Sequence, residues 1–134
     1  MTVEVLAHSH LVEWGYPVVP DEMVGFAMRG DDGKLCALAA VCYVAKPADP
    51  KLPGGWWANF DSKGPVSPLA HRYAIKVRDA LRDAGVRVIY AIADPDIPTA
   101  PKWLSRLGLS PWHEDVWRIE LVVDAASRRT AGLG

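Results

Sequence analysis

The chain has 134 residues, half of them hydrophobic, with 15 basic residues against 16 acidic ones and a formal net charge of −1. That length suits one compact domain with a real core, and charges spread along the chain without a basic stripe argue against a nucleic acid partner. No stretch of about eighteen apolar residues occurs, and the N-terminus lacks the basic flank and apolar core of an export signal, so the expectation is a cytoplasmic protein with no membrane segment.

Thr2 to Leu6 alternates loosely and reads as a first strand, followed by a short helix capped by Ser9 and running through Trp14. Pro17 and Pro20 end it. Met23–Arg29 and Leu35–Val44 are apolar, β-prone runs separated by "GDDG", Gly30 to Gly33, which reads as a hairpin turn between antiparallel strands. Ala45 to Gly55, with three prolines and two glycines in eleven residues, is an exposed connection. "GWWANFD", Gly55 to Asp61, predicts a third long strand with aromatic side chains on both faces.

A helix follows, with Ser67 as cap, Pro68 at the first helical position, and Leu69, Tyr73, Val77, Leu81 and Ala84 along one stripe. Gly85 closes it. Val86 to Asp94 is β-branched and apolar almost throughout, as expected of a strand covered on both faces and parallel to the Trp56 strand through a right-handed crossover. A short helix ends at Gly108. Asp115 to Val123 alternates as a last, amphipathic strand, with Trp117, Ile119, Leu121 and Val123 on one side. The pattern is α/β, or α+β with a mixed sheet, in a single domain over 1–124, with 125–134 as a loose, polar tail.

Cys36 and Cys42 stand at even spacing in one strand, which predicts one shared face and a separation of about 20 Å, too far for a disulfide. His8, His10, His113 and Glu114 form no metal motif, since a His-x-His pair lacks a third ligand at suitable spacing, and no metal is expected. There is no Gly-x-Ser-x-Gly elbow and no phosphate-binding Gly-Lys-Ser/Thr loop. Six tryptophans are more than one small core can bury, which points some of them toward a partner.

Three stretches in this order resemble the GCN5-related N-acetyltransferase (GNAT) superfamily over about Thr2 to Val123. "GDDGKLCALAAVCYV" is similar to its second and third strands. "GWWANFDSKGPVSPLAHRYAIKVRDALRDAGVRVIYAIAD" is similar to its fourth strand, cofactor-side helix and fifth strand. "APKWLSRLGLSPW" is similar to its A-x-x-x-Y-x-x-L-G-F helix ending, with Ala100, Leu107 and Gly108 in register. Within the superfamily, the chain most resembles short acetyltransferase-like proteins of tailed phages.

The resemblance implies a GNAT-like acyl-CoA N-acyltransferase fold whose fourth and fifth strands diverge around the pantetheine arm of acetyl-coenzyme A. The cofactor's pyrophosphate would then meet the next helix, where free N–H groups and the helix dipole suit an anion. The family's glycine-rich loop is here "DSKGPVSPLAHR": only Gly64 remains, and Pro65 and Pro68 bring no N–H. Lys63, Gly64, Val66, Ser67, His71 and Arg72, with the Leu69 and Ala70 amides, are the candidate cofactor contacts. Lys63 and Arg72 read equally well as solvated charges.

The family's acid, a tyrosine, falls on Leu104, which has no proton to give. Tyr90 is the nearest other phenol, or a core residue. Asp61 and Asp94, at the ends of the two strands, are the candidate bases, although "DPDIP" also reads as a turn in which Asp94 bonds backbone amides. The chain is therefore expected to be an N-acetyltransferase acting on an unknown amine. The alternative is an inactive protein of the same fold that works through protein contacts, as a homo-oligomer or a virion component does. The transferase reading depends on whether the Trp56 and Val86 strands part.

Overall fold

In the computed structural model, which describes residues 1–121, the chain opens with strand β1 (Thr2–Val5) and helix α1 (His8–Trp14). Ser9 lies inside that helix rather than ahead of it. Ala7 is the cap residue, and its N–H donates to the imidazole Nδ1 of His10 at 2.9 Å. A ring nitrogen thus reaches back to the cap N–H, as a glutamate does in a capping box.

β2 (Met23–Arg29) and β3 (Leu35–Val44) form the expected antiparallel pair across Gly30–Gly33. Met28 pairs with Ala37 but Arg29 with Leu35, so Cys36 is the extra residue of a bulge. It packs beside Phe26, Met28 and Ala37, whereas Cys42 packs with Leu38 and Ala40 on the other side. The two cysteines therefore do not share a face, because one inserted residue shifts the alternation. Both thiols are free and half-buried.

β4 (Gly55–Ser62) lies antiparallel to β3, and helix α2 (Pro68–Asp83) follows it. Ser67 Oγ accepts the Leu69 N–H at 3.2 Å, and Pro68 takes the first helical position. The stripe packed on the sheet is Ala70, Tyr73, Ala74, Val77 and Leu81, of which Ala70 and Leu81 are buried; Leu69 is 39% exposed and Ala84 is also exposed. Each large apolar side chain buried here contributes about 1.5–3 kcal/mol relative to leaving it in water.

β5 (Val88–Ile92) runs parallel to β4, completing the crossover. Then come α3 (Ala100–Arg106), β6 (Ser110–His113) and β7 (Val116–Glu120). β6 is not signalled by the sequence, since "SPWH" is short and contains proline. As the outer strand of the sheet it needs few donors, which is where proline is tolerated. Val122, Val123 and the boundary expected near residue 124 lie outside the described residues.

The seven strands form one sheet in the order β1-β2-β3-β4-β5-β7-β6. α2 and α3 cover one face, packing on Phe26, Ala37, Val41, Ile89, Ala91 and Ile119. α1 covers the other face, but only over β2 and β3, through Leu11 against Ala27, Leu38 and Ala40. Among the described residues, the β4-β5-β7 half of that face carries no helix. β5 is accordingly buried on one side, at Ile89 and Ala91, while Ile92 is 54% exposed, which corrects the expectation of cover on both faces.

His10 sits by β1 and His113 in β6, at opposite edges of the sheet. Among the described residues no group of three or more His, Cys, Asp or Glu is placed to hold a metal ion. Nor is any described helix long and apolar enough to cross a membrane.

Candidate functional site

The parallel ladder between β4 and β5 is short. Trp56 pairs with Ile89, Trp57 with Tyr90 and Ala58 with Ala91, and there it stops. β4 continues against β3 through Ser62, while the Ala93 N–H turns to the Asp115 carbonyl at 2.9 Å on the β7 side. The two strands part as the cofactor reading requires. Between them opens a cavity of about 620 Å³, bounded by α2 and α3 and lined by Phe60, Asp61, Gly64, Val66, Ile97 and Trp103 among others. That volume falls within the range of small-molecule and cofactor sites.

One edge of this cleft is exposed main chain. The Lys63 N–H donates to the Cys36 carbonyl at 2.8 Å. Alternating back along β4, Asp61 and Asn59 turn their peptide groups toward β3, and Phe60 and Ser62 turn theirs into the cleft. Side chains alternate too. Asp61 and Asn59 pair with Leu38 and Ala40, whose side chains pack under α1, so both project on the α1 face of the sheet.

Asp61 is half-buried at the cleft wall. Burial alone acts on its carboxyl, pushing its pKa above the usual carboxylate range because the charged form loses solvation. Asp94 also lines the cleft, but its Oδ1 accepts the Asp96 N–H at 2.9 Å and its carbonyl accepts the Ile97 N–H at 3.0 Å. It holds the turn into α3.

The candidate cofactor residues divide. Gly64 has φ +89, and a Cβ added there would meet nothing within 4 Å, so the cleft is open beside it. Val66 lines the same space. Ser67 caps α2: its Oγ takes the Leu69 N–H and its carbonyl takes the Ala70 N–H at 2.9 Å, so those two amides are already engaged. Among the described residues no partner engages the N–H groups of Gly64, Val66 and Ser67, which are left for an anion.

Lys63 does not lie over the helix start; its Nζ sits 4.5 Å from the centre of the Trp14 ring on the α1 face, held by a cation–π contact. Arg72 is exposed on α2 and does not line the cavity. His71 stands behind Trp103, edge-on at 6.0 Å, with Nδ1 buried and lacking a hydrogen-bond partner among the described residues. Tyr90 is away from the cleft, stacked on Trp57 at 5.2 Å below the point where the strands part. Leu104 is 8% exposed and belongs to the core with Leu107 and Ala91.

Asn59 and Tyr16 escape sequence reasoning. The Asn59 amide donates to the Tyr16 hydroxyl at 3.3 Å, joining the segment after α1 to the cleft edge across 43 positions of sequence. The alternation of β4 could have flagged Asn59, two residues before Asp61. Nothing local marks Tyr16.

A mixed sheet that opens between its central parallel strands, with a helix start facing the opening, defines a GNAT-like acyl-CoA N-acyltransferase fold. The chain is similar to a GNAT family N-acetyltransferase (YhbS) from Escherichia coli, solved in complex with CoA. The TM-score is 0.52 at 13% identity, covering 90% of this chain and 81% of that one. No protein-family model matches the chain, and no curated protein matches it. At that identity the likeness defines the fold, and the chemistry rests on this chain's own residues.

Proposed function

We propose that the chain is an acyl-CoA-dependent N-acyltransferase, with acetyl-CoA as donor and an amine as acceptor. The observation that carries this reading is the end of the β4–β5 ladder at Ala58 and Ala91, which leaves an open cleft beside Gly64. The cleft-facing N–H and C=O of Phe60 suit a ligand rich in amides, as the pantetheine arm is. The free N–H groups of Gly64, Val66 and Ser67 suit a phosphate at the helix start. Two prolines make this cradle poorer than a glycine loop, so most of the affinity would come from the cleft walls.

A bound acetyl-CoA supplies an activated acyl carbon: the amine nitrogen bonds to it as the carbon–sulfur bond breaks, and the sulfur leaves with that electron pair. Asp61 takes the proton from the attacking nitrogen, directly or through one water. Its raised pKa makes it a stronger base than a solvated carboxylate. Leu104 offers no proton to the departing sulfur. Thiols titrate near about 8.5, so a thiolate can leave near neutral pH and collect its proton from water.

Calorimetric titration with acetyl-CoA tests the reading. Micromolar binding supports it, and no heat at millimolar ligand refutes it. The buried Leu104 favours a second reading, a non-catalytic protein of the same fold acting through protein contacts, as a phage virion or assembly component would. Binding of CoA without transfer to any amine would select that one.

A further inference from the structure

The half of the α1 face that no helix of the described residues covers carries a row of aromatic rings that ends at the cleft. Trp57 stacks on Tyr90 at 5.2 Å and Tyr90 meets Trp112 at 5.6 Å. Arg118 backs Trp112, 5.0 Å from its ring centre. The Trp57 indole N–H donates to the Pro53 carbonyl at 3.1 Å, so the connection before β4 walls the row on one side. Trp112 is 43% exposed and Ile92, the next outward residue of β5 after Tyr90, is 54% exposed. Ile92 also lines the cleft. The exposed apolar surface and the opening between the strands are therefore continuous.

The geometry points to this row as the acceptor subsite, selecting a primary amine carried on a flat aromatic body. This inference rests on the transferase reading above. Along β4, Trp57, Asn59 and Asp61 stand on the same face at steps of about 6.6 Å. A ring seated over Ile92 against the rim of the Trp57–Tyr90 stack places an amine one short alkyl spacer away at Asn59, within one step of the Asp61 carboxylate. The ring replaces water over apolar surface, with edge or offset contacts of the kind aromatic pairs favour. The ammonium is drawn to Asp61 and Asp94, the carboxylates lining the cleft. A plain alkylamine keeps the charge attraction but loses the ring contact, and an acidic acceptor is repelled.

The test compares 2-phenylethylamine with hexylamine in steady-state transfer from saturating acetyl-CoA, read as free thiol released, in the intact protein and in Trp112→Ala. The expected result is a KM for 2-phenylethylamine about threefold to tenfold below that for hexylamine, the range of one aromatic contact. In Trp112→Ala that ratio moves toward one, because Tyr90 loses the ring it packs against at 5.6 Å and with it the fixed rim that only the aryl acceptor touches. Trp57→Phe, which keeps a ring in the row, retains most of the preference.

Equal KM values in the intact protein overturn the inference. So does a Trp112→Ala change that scales both amines alike, or one that converts a dimer to a monomer, which would make the row an interface between copies. A second arm titrates the CoA-loaded protein calorimetrically with 2-phenylethylamine. Absence of heat there, when CoA itself binds, removes the subsite and leaves the transferase reading standing. Failure of CoA to bind removes the transferase reading first.

Discussion

Asp61 is the base of the transferase reading, and that role and the fold make opposite demands on it. Burial raises its pKa, so the protonated form is favoured by folding. Stability contributed by such a group is present below the unfolded carboxylate pKa and is lost as pH rises through the folded one. At neutral pH the ionised side chain therefore weakens the fold. Asp61→Asn should lower kcat by about 100-fold or more, the scale of one general base, with acetyl-CoA affinity little changed and Tm raised rather than lowered. Thermal scans beside steady-state rates check both signs. In the intact protein, kcat/KM for the amine should fall as pH drops through a value above the ordinary aspartate range near about 3.9. On sequence alone Asp61 and Asp94 stand equal as candidate bases, and only the Asp96 and Ile97 bonds to Asp94 mark the latter as a turn residue.

At the scale of elements, two junctions fasten helices in place, and the first of them borders the cleft. α3 is fastened to α2 by Arg78, whose Nη1 donates to the Leu107 carbonyl at 2.7 Å, and is ended by Gly108 at φ +95, where a Cβ would come 2.9 Å from Ile119 Cδ1. Gly108→Ala combines a strained backbone with that collision and should cost about 1–3 kcal/mol, a drop of several degrees in Tm by calorimetry.

The other junction ties α1 to the sheet. Arg29 donates from Nε to Glu4 at 2.9 Å and from Nη1 to Glu13 at 2.7 Å. Hydrogen bonding to Arg29 holds both glutamate pKa values below the usual range. Their contribution is complete above the unfolded glutamate pKa, about 4.3, and is lost as pH falls through the lowered folded values. Tm against pH should decline across that window, and less steeply in Glu13→Gln. Element identity was legible here because capping and apolar period are local. The Cys36 bulge and β6 were not, since each depends on a partner brought from elsewhere in the chain, and the His10 cap was missed because an imidazole is not among the usual capping side chains.

For the whole molecule, the consequence of an open cleft is ligand-linked stability. If CoA binds the folded chain alone, saturation at 100 times Kd adds about 2.7 kcal/mol, so Tm should rise by several degrees with CoA and not with adenosine, which lacks the pantetheine arm. An equal response to both would place the affinity outside the cleft. The same overall arrangement accounts for the six tryptophans. Trp103 and Trp117 pack against the α3 core and Trp56 against the Val41–Leu81 cluster. Trp14, at the end of α1, packs against the Leu11–Leu38 cluster, and Trp57 and Trp112 are left on the half of the sheet that no helix of the described residues covers.

By itself the sequence determined the strands and helices of the central unit, their order, and the crossover that makes β4 and β5 parallel, because apolar period, caps and turn glycines act over a few residues. It also determined what the site lacks, a full glycine loop and a phenol in the place of Leu104. Tertiary structure alone decided that the ladder ends at Ala58, that Lys63 turns to Trp14, that Tyr90 joins an aromatic row, and that Tyr16 reaches Asn59. Each of these depends on which distant surfaces compete for the same side chain or peptide group, and local pattern carries no record of that competition.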